Sequence, residues 1–157
     1  MKNHNVYLGL GSNLENRKMF IQSAIKQLAA HPHVNVITAA SLINNTAIST
    51  YPQPDYLNTA CHIKTTLTPN QLWELTLIIE KNIGRTSKGE GKSRNIDIDI
   101  LLYSDHIINT PKLTIPHPRM HQRNFVLTPL NEIAPHIKHP IFKITVNKLY
   151  EELKVSA

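Results

Sequence analysis

Two aspartates separated by a single residue are the feature of this sequence with the clearest chemical potential. Asp97 and Asp99 alternate with Ile96, Ile98 and Ile100. Side chains along a β-strand point alternately to opposite faces, so we expect the isoleucines to face a core and both carboxylates to share the other face. Same-face neighbours on a strand lie roughly 6 to 7 Å apart, and carboxylates at that spacing can bracket metal ions set about 3.5 to 4 Å apart.

Basic residues flank this acidic pair on both sides. The preceding segment carries Lys81, Arg85, Lys88, Lys92 and Arg94 against the single acid Glu90, and the following segment carries Lys112, Arg119 and Arg123. Carboxylates bind a divalent metal and cations bind phosphate oxygens, so this arrangement predicts a site for magnesium and a polyphosphate. Residues 86–94 contain no apolar side chain, which is typical of a mobile loop that could cover a bound anion and equally of an inert linker.

Other interpretations of the aspartates stay open at this point. An alternating strand with an acidic solvated face needs no function at all. Metal-dependent nucleases and glycosyl transferases also use two aspartates spaced in this way on a strand. The basic flanks favour a phosphate site over the first interpretation, but the pair alone fixes neither the substrate nor the reaction.

Length and composition restrict the class of protein. The 157 residues are enough for one domain, which we expect to span residues 1–157. A net charge of +6 favours an anionic partner. The single cysteine, Cys61, precludes an internal disulfide and suits a reducing compartment, and its apolar neighbours predict a buried thiol. We find no signal-like or membrane-spanning run, so we expect a cytoplasmic protein without a membrane partner.

The elements that must position the aspartates follow from periodicity and capping. Strands are predicted at 6–10, 34–46, 56–66 and 94–103, and helices at about 15–30, 69–83 and 145–154, with a short helix and loops over 120–133. Ser12 and Glu15 have capping-box spacing, and Thr68 with Pro69 is typical of a helix start. Gly9 and Gly11 lack the third glycine of a dinucleotide site, so we interpret residues 11–13 as a tight turn between strand and helix.

The order strand, helix, strand, strand, helix, strand is the split βαβ pattern. It predicts an α+β, ferredoxin-like fold with an antiparallel central sheet and helices packed on one face. The first and fourth strands are expected side by side at the centre, which would put the aspartates in mid-sheet. Nine histidines invite a zinc hypothesis, but they lack cysteine partners and zinc-site spacing. His117, held between Pro116 and Pro118, is the histidine that we expect to donate to a phosphate oxygen.

Several motifs in order resemble those of the 6-hydroxymethyl-7,8-dihydropterin pyrophosphokinase family of folate biosynthesis. They are Gly9-x-Gly11-Ser12-Asn13-Leu14, Gln53-Pro54-Asp55-Tyr56-Leu57-Asn58, Ile79-Glu80, Gly84-Arg85, Arg94-x-x-Asp97-x-Asp99-Ile100 and Leu113-Thr114-Ile115-Pro116-His117. The resemblance spans nearly the whole chain. It implies a ferredoxin-like α+β monomer that transfers the pyrophosphoryl group of ATP to the pterin hydroxymethyl oxygen and releases AMP.

The resemblance also implies a role for individual residues. Asp97 and Asp99 would bind two Mg²⁺ ions, with Arg85 and Arg94 as the catalytic arginines. The pterin would contact Thr46, Tyr56, Asn58 and Phe125. The nucleotide would contact Glu80, Ile100, Lys112, Thr114, His117 and Arg123. Transfer of this kind needs positioning and charge neutralisation rather than a protein nucleophile, and the metal beside the attacking alcohol can lower its pKa.

The chain departs from the family pattern in the basic loop. The family usually has Trp-Gly-Pro-Arg before the aspartates, whereas this chain has Gly91-Lys92-Ser93-Arg94, and Ala47 replaces a frequent proline. These differences bear on loop closure and turnover rate. The only tryptophan, Trp73, has a core-like spacing on the second helix and is not expected to substitute.

Two other functions remain as alternatives. A ferredoxin-like nucleic-acid-binding module would display aromatic side chains on its sheet, whereas this strand displays aspartates that repel a phosphate backbone. We therefore expect no nucleic-acid partner. A binding-only relative that has lost the chemistry is disfavoured by the presence of both aspartates and both arginines.

Overall fold

A computed structural model describes residues 2–13, 16–45, 55–84 and 95–156. The strands of its main sheet are β1 (His4–Ser12), β2 (Val34–Ala39), β3 (Ile43–Asn45), β4 (Tyr56–Thr65) and β5 (Asp97–Tyr103). They pair antiparallel in the order β2-β4-β1-β5, and the short β3 also pairs with β4. A separate antiparallel pair joins β6 (Ile108–Asn109) to β7 (Thr114–Ile115).

The α+β class and the split pattern are confirmed, but one detail of the predicted strand order is wrong. β1 and β5 are neighbours as expected, whereas the central pair of the described sheet is β1 and β4. The crossover from β1 to β2 leaves a gap of one strand, which β4 fills, so β5 takes the remaining edge of β1. The aspartates therefore lie on the last strand of this sheet and not in its middle.

The helices cover both faces of the sheet, which corrects the expectation of a single covered face. α1 (Arg17–Ala30) and α2 (Pro69–Asn82) pack on the face of Leu8, Leu10 and Ile98. After a 3₁₀ helix (Met120–Gln122), α3 (Asn124–Ile133) and α4 (Val146–Ser156) pack on the face of Tyr7 and Leu102. None of the helices in these described ranges has the length and apolar character needed to cross a membrane.

Local signals explain how α2 begins and ends. Thr68 accepts a hydrogen bond from the backbone N–H of Gln71 at 3.2 Å, and the Gln71 side chain accepts one from the backbone N–H of Thr68 at 2.9 Å. This capping box and Pro69 at the first helical position confirm the predicted start. Gly84, with φ of 101°, follows the helix in the left-handed region that glycine tolerates best, as predicted for its end.

The strand at 6–10 and the helix at about 15–30 are confirmed as β1 and α1, but the predicted turn and helix cap between them are wrong. Gly11 and Ser12 belong to β1 instead of a turn, and Gly11 pairs with residues on both neighbouring strands. α1 begins after Asn16, so Ser12 is a buried strand residue and not a helix cap. Glu15, the other half of the predicted capping box, lies outside the described residues. Glycine suits this strand position because a Cβ atom there would lie 2.6 Å from Asn58 Nδ2.

The second predicted strand, residues 34–46, is interrupted. Residues 40–42 separate β2 from β3, while Thr46 lies outside the described residues. The hydroxyl of Thr59 donates to the backbone carbonyl of Ala40 at 2.8 Å, so a side chain replaces a ladder partner at this point. The interruption lets β3 pair with the first residues of β4 on its own register.

Candidate active site

A cavity of about 440 Å³ opens between the sheet and the start of α3. We refer to it as the first cavity. Its walls come from β1, β4, β5, Asn45 of β3 and the segment around α3: Gly9, Leu10, Gly11, Asn45, Tyr56, Asn58, Thr59, Asp97, Asp99, Leu101, Arg119, Arg123, Phe125 and Val126. It therefore contains both predicted metal ligands, three of the four predicted pterin residues and one predicted phosphate residue.

The predicted alternation along β5 is confirmed. Ile96, Ile98 and Ile100 are buried, while Asp97 and Asp99 are half-buried and line the first cavity. In the register of the sheet, Gly11 lies opposite Asp97 and Gly9 lies opposite Asp99. Because the residues opposite the carboxylates have no side chains, the floor of the first cavity stays open beside both of them.

Asn58 places a nearly buried side-chain amide in the wall of the first cavity. It is 9% exposed, and its buried Oδ1 makes no hydrogen bond within the described ranges. A Cβ atom on Gly11 would lie 2.6 Å from Asn58 Nδ2, so this glycine makes room for the amide. A buried amide oxygen without a partner is costly unless a ligand donates to it.

Aromatic and basic side chains complete the first cavity. Tyr56 and Phe125 both line it, and the Arg123 guanidinium lies 5.6 Å from the centre of the Phe125 ring. Arg119, which sequence reasoning counted only as a flanking cation, lines the cavity as well. Its position in the basic segment 112–123 was the sequence feature from which a place in this cavity could have been predicted. The first cavity thus combines aromatic surface, an amide, carboxylates and cations.

A second cavity of about 360 Å³ lies along the outer side of β5. We refer to it as the second cavity. Its lining residues come from α2, β5 and the segment 112–118: Trp73, Thr76, Leu77, Ile98, Asp99, Ile100, Lys112, Leu113, Thr114, His117 and Pro118. Four of the residues predicted to contact the nucleotide line it, namely Ile100, Lys112, Thr114 and His117. Asp99 lines both cavities, so the two meet at this carboxylate.

His117 is fixed at the edge of the sheet by two hydrogen bonds. Its backbone N–H donates to the carbonyl of Leu101 at 3.0 Å, which ties the proline-rich segment to β5. Its ring Nδ1 lies 3.2 Å from the backbone N–H of Arg119 and accepts from it. In the neutral ring this leaves the proton on Nε2, where it can be donated to a ligand.

Trp73 was predicted to be a core residue, and the structure gives it a second contact. It packs against the core that α1 and α2 cover, but it also lines the second cavity. Lys112 Nζ lies 6.0 Å from the centre of its ring. Helical spacing predicts which face of α2 Trp73 occupies, but not that a cavity opens beside that face.

Glu80 lies in neither cavity. It is 2% exposed, and its Oε2 accepts a hydrogen bond at 2.8 Å from the backbone N–H of Ile98, the residue between the two aspartates. Its observed contact is therefore with the strand that carries the carboxylates. Arg85, Arg94 and Thr46 lie outside the described residues, so their predicted roles stay predictions.

The model of the 7,8-dihydro-6-hydroxymethylpterin-pyrophosphokinase (HPPK) family matches residues 7–135. The chain belongs to the HPPK family. A 2-amino-4-hydroxy-6-hydroxymethyldihydropteridine pyrophosphokinase of Bacillus subtilis is 39% identical over 136 residues, covering 87% of this chain and 81% of that HPPK. An enzyme of the same name from Aquifex aeolicus is 38% identical over 138 residues, covering 88% of this chain and 85% of the relative.

Solved structures confirm the HPPK fold. A crystal structure of HPPK-DHPS in complex with substrates superposes with a TM-score of 0.74 at 15% identity and covers 99% of this chain. Wild-type Plasmodium falciparum HPPK-DHPS with pterin and p-hydroxybenzoate gives a TM-score of 0.75 at 17% identity and covers 96% of this chain. This chain spans 44% and 43% of those two longer chains, so they bear on the fold alone.

Proposed function

We infer that this protein transfers the pyrophosphoryl group of ATP to 6-hydroxymethyl-7,8-dihydropterin in folate biosynthesis. Membership of the HPPK family and the names of the relatives support this reaction. The single observation that carries it is the position of Asp99, which lines both cavities. A transfer between two substrates requires two adjoining pockets with charge-neutralising groups where they meet.

We assign the pterin to the first cavity. The unpartnered Oδ1 of Asn58 can accept from the amino or ring N–H groups of a pterin, and its amide nitrogen can donate to a ring acceptor. Tyr56 and Phe125 supply aromatic surface for the flat ring. Thr46, which the resemblance adds to this site, stays a proposal. Selection through a buried amide would disfavour flat molecules that lack matching groups, because they would leave the amide without partners.

We assign ATP to the second cavity. Trp73 and Leu77 provide its apolar surface, and Lys112 lies near enough to balance negative charge. His117 and Thr114 lie toward β5 and are placed to donate to phosphate oxygens. Arg123 lines the first cavity, so we propose that it holds the transferred phosphates from the side of the acceptor.

The carboxylates fit magnesium. Mg²⁺ is usually bound by one or two protein carboxylates together with waters and substrate phosphates. Asp97 and Asp99 supply such a pair beside the glycine-lined floor, and no group of three or more metal-ligating side chains exists within the described ranges. We propose that the two aspartates hold two ions with the ATP phosphates. Bound there, magnesium would neutralise phosphate charge and lower the pKa of the attacking alcohol.

The reaction then follows from positioning. The pterin hydroxymethyl oxygen attacks the β-phosphorus of ATP, the bond from that phosphorus to the oxygen of the α-phosphate breaks, and AMP leaves with that oxygen. The alcohol gives up its proton to solvent. Asn58 and the aromatic residues orient the acceptor, while Asp97 and Asp99 set the place of charge neutralisation. We propose that Arg85 and Arg94 stabilise the charge that develops as the bond breaks.

Further properties remain proposals. We propose a cytoplasmic monomer whose residues 1–157 form one pyrophosphokinase domain, without a nucleic-acid or membrane partner. Cys61 is free and fully buried, and burial raises the pKa of its thiol to about 12, which suits an unreactive core thiol. Light scattering at micromolar concentration would test the monomeric state, and a mass of two chains would overturn it.

Product analysis by ³¹P NMR tests the reaction. The protein, ATP, MgCl₂ and 6-hydroxymethyl-7,8-dihydropterin should yield AMP and a pterin pyrophosphate in equal amounts. ADP with a pterin monophosphate would indicate transfer of the terminal phosphate instead. An unchanged ATP spectrum with a folded protein at saturating substrates would remove the assignment.

A further inference from the structure

A hydrogen-bonded cluster outside both cavities joins three separate elements. The Arg17 guanidinium, on the first residue of α1, donates to Asn44 Oδ1 at 2.7 Å and to the backbone carbonyl of Asp55 at 2.8 Å. Asn44 Nδ2 donates to Asp55 Oδ2 at 3.1 Å, which closes the cluster. None of these three residues lines the first or the second cavity.

The cluster lies one residue away from the wall of the first cavity. Asn44 precedes Asn45 and Asp55 precedes Tyr56, and both of those following residues line the first cavity. Asn45 and Tyr56 also lie opposite each other as the last pair in the register of β3 and β4. A shift of Asn44 or Asp55 would therefore move two groups of the wall together.

β3 is the shortest described strand of the main sheet. It is three residues long and pairs with β4 through three residues, and Ile43 and Asn45 are only half-buried. So short a ladder is expected to fray unless side chains add to it. A planar guanidinium that donates to two acceptors at once fixes both their separation and their orientation.

We propose that Arg17 is a positioning residue for the acceptor substrate. It holds β3 against the start of β4, so that Asn45 and Tyr56 keep the spacing that the flat heterocycle needs in the first cavity. This inference rests on the proposed function, because it takes the ring-shaped acceptor as the ligand of that cavity. Arg17 touches neither substrate and takes no part in the transfer.

Steady-state kinetics and calorimetry on Arg17→Ala, Arg17→Lys, Asn44→Ala and the double variant test the proposal. Arg17→Ala is expected to raise KM for the pterin roughly three- to tenfold, as for the loss of a charge-assisted hydrogen bond, with kcat, KM for ATP and the melting temperature unchanged. Arg17→Lys should recover part of the loss because an ammonium keeps donors at this place. Lys18→Ala, the adjacent exposed cation on the same helix, is the matched control and should leave every parameter unchanged.

The double variant distinguishes a shared role from two separate ones. Because Arg17 and Asn44 act through one cluster, the double variant Arg17→Ala with Asn44→Ala should have a pterin KM no higher than that of the more impaired single variant. Additive losses, an unchanged pterin KM in Arg17→Ala, or an equal loss of ATP binding would each overturn the proposal. Failure of the wild-type protein to bind pterin would instead contradict the proposed function, so the two failures can be told apart.

Discussion

The two cavities are built in different ways, although they share Asp99. The first cavity has a floor made of paired strands, and each group on it is fixed by the register of β1 with its two neighbours. The second cavity is assembled along the outer side of β5 from a helix and from the proline-rich segment that His117 ties to Leu101. The ladder itself positions Tyr56 and Asn58, two of the proposed pterin residues. Packing between elements positions Phe125 on α3 and most of the proposed nucleotide residues.

The two cavities are therefore expected to tolerate different kinds of substitution. A small steric change in the ladder is transmitted directly to the first cavity, because opposite residues in a sheet lie in contact. The second cavity depends on side chains that protrude from separate elements, so the loss of one of them is expected to weaken binding without moving the others. Four substitution experiments test this contrast, beginning with the aspartates where the cavities meet and ending with a histidine outside both cavities.

The largest effect is expected from the two aspartates of β5, of which Asp99 lines both cavities. Asp97→Ala and Asp99→Ala should each lower kcat by at least about 10²-fold, because each removes charge neutralisation where the two substrates meet. Product formation under saturating substrates measures this effect. Asp105→Asn, an exposed acid just beyond β5, is the control and should be as active as the wild type. Activity near the wild-type level in Asp99→Ala would contradict the proposal that the two substrates meet at this carboxylate.

Gly11→Ala should damage the first cavity alone. Its Cβ would lie 2.6 Å from Asn58 Nδ2, so the amide at the end of that flexible side chain has to move, while the fold remains. We expect pterin KM to rise by roughly tenfold, as for one lost buried hydrogen bond, with ATP KM unchanged. Gly9→Ala provides a graded comparison, since its Cβ would meet Leu101 at an ordinary 3.4 Å and should have the smaller effect. Equal effects of the two substitutions would show that the amide contact is not what matters.

Trp73→Leu should damage the second cavity alone. Leucine keeps the apolar contact with the core but loses the flat surface beside Lys112. ATP KM is expected to rise by roughly three- to tenfold, as for the loss of one aromatic contact, and pterin KM should stay constant. Trp73→Phe, which keeps an aromatic ring, is the matched variant. A pterin KM that rises as much as the ATP KM would contradict the assignment of Trp73 to the nucleotide cavity alone.

The smallest effect is expected on stability, from His139, which lies near the segment that carries Arg119 and Arg123. His139 is buried, its ring stacks on Phe142, and Phe142 also contacts His121. Burial, followed by the charge of His121, lowers the pKa of His139 below 6.5. The unfolded chain therefore takes up a proton first as pH falls. The contribution of neutral His139 to the free energy of unfolding is complete above pH 6.5 and declines below it, toward the pKa of His139 in the folded state.

Urea unfolding at pH 7.5 and 5.5 measures this decline. His139→Asn keeps an acceptor for the backbone N–H groups of Ile141 and Phe142 but does not titrate, so its free energy of unfolding should fall less between the two pH values. His136→Gln, an exposed neighbour, should behave as the wild type. A pH dependence that is identical in wild type and His139→Asn would assign the decline to other groups.

The sequence predicted those parts of the site that depend on local periodicity and capping. The alternation of isoleucine and aspartate identified both faces of β5, and Thr68, Pro69 and Gly84 marked the ends of α2. The family resemblance supplied the remaining residues, and it grouped Phe125 with Tyr56 and Asn58 although Phe125 is far from both in sequence; all three line the first cavity.

Properties that arise from tertiary packing were beyond that reasoning. The position of β5 at the end of the sheet depends on which strand fills the gap between β1 and β2, and no local pattern encodes that choice. Gly11 was interpreted as a turn residue because glycine serves both turns and close approaches, and only the neighbouring Asn58 distinguishes them. Trp73 and Arg119 line cavities that exist only after separate elements have packed together.

A crossed calorimetric titration tests directly whether the two substrates bind in two different cavities. Wild type, Gly11→Ala and Trp73→Leu would each be titrated with 6-hydroxymethyl-7,8-dihydropterin and with a non-hydrolysable ATP analogue in the presence of magnesium. We expect Gly11→Ala to weaken binding of the pterin only and Trp73→Leu to weaken binding of the nucleotide only. If both variants weaken the same ligand, or if each weakens the other's ligand, the assignment of the two substrates to two cavities that meet at Asp99 is contradicted.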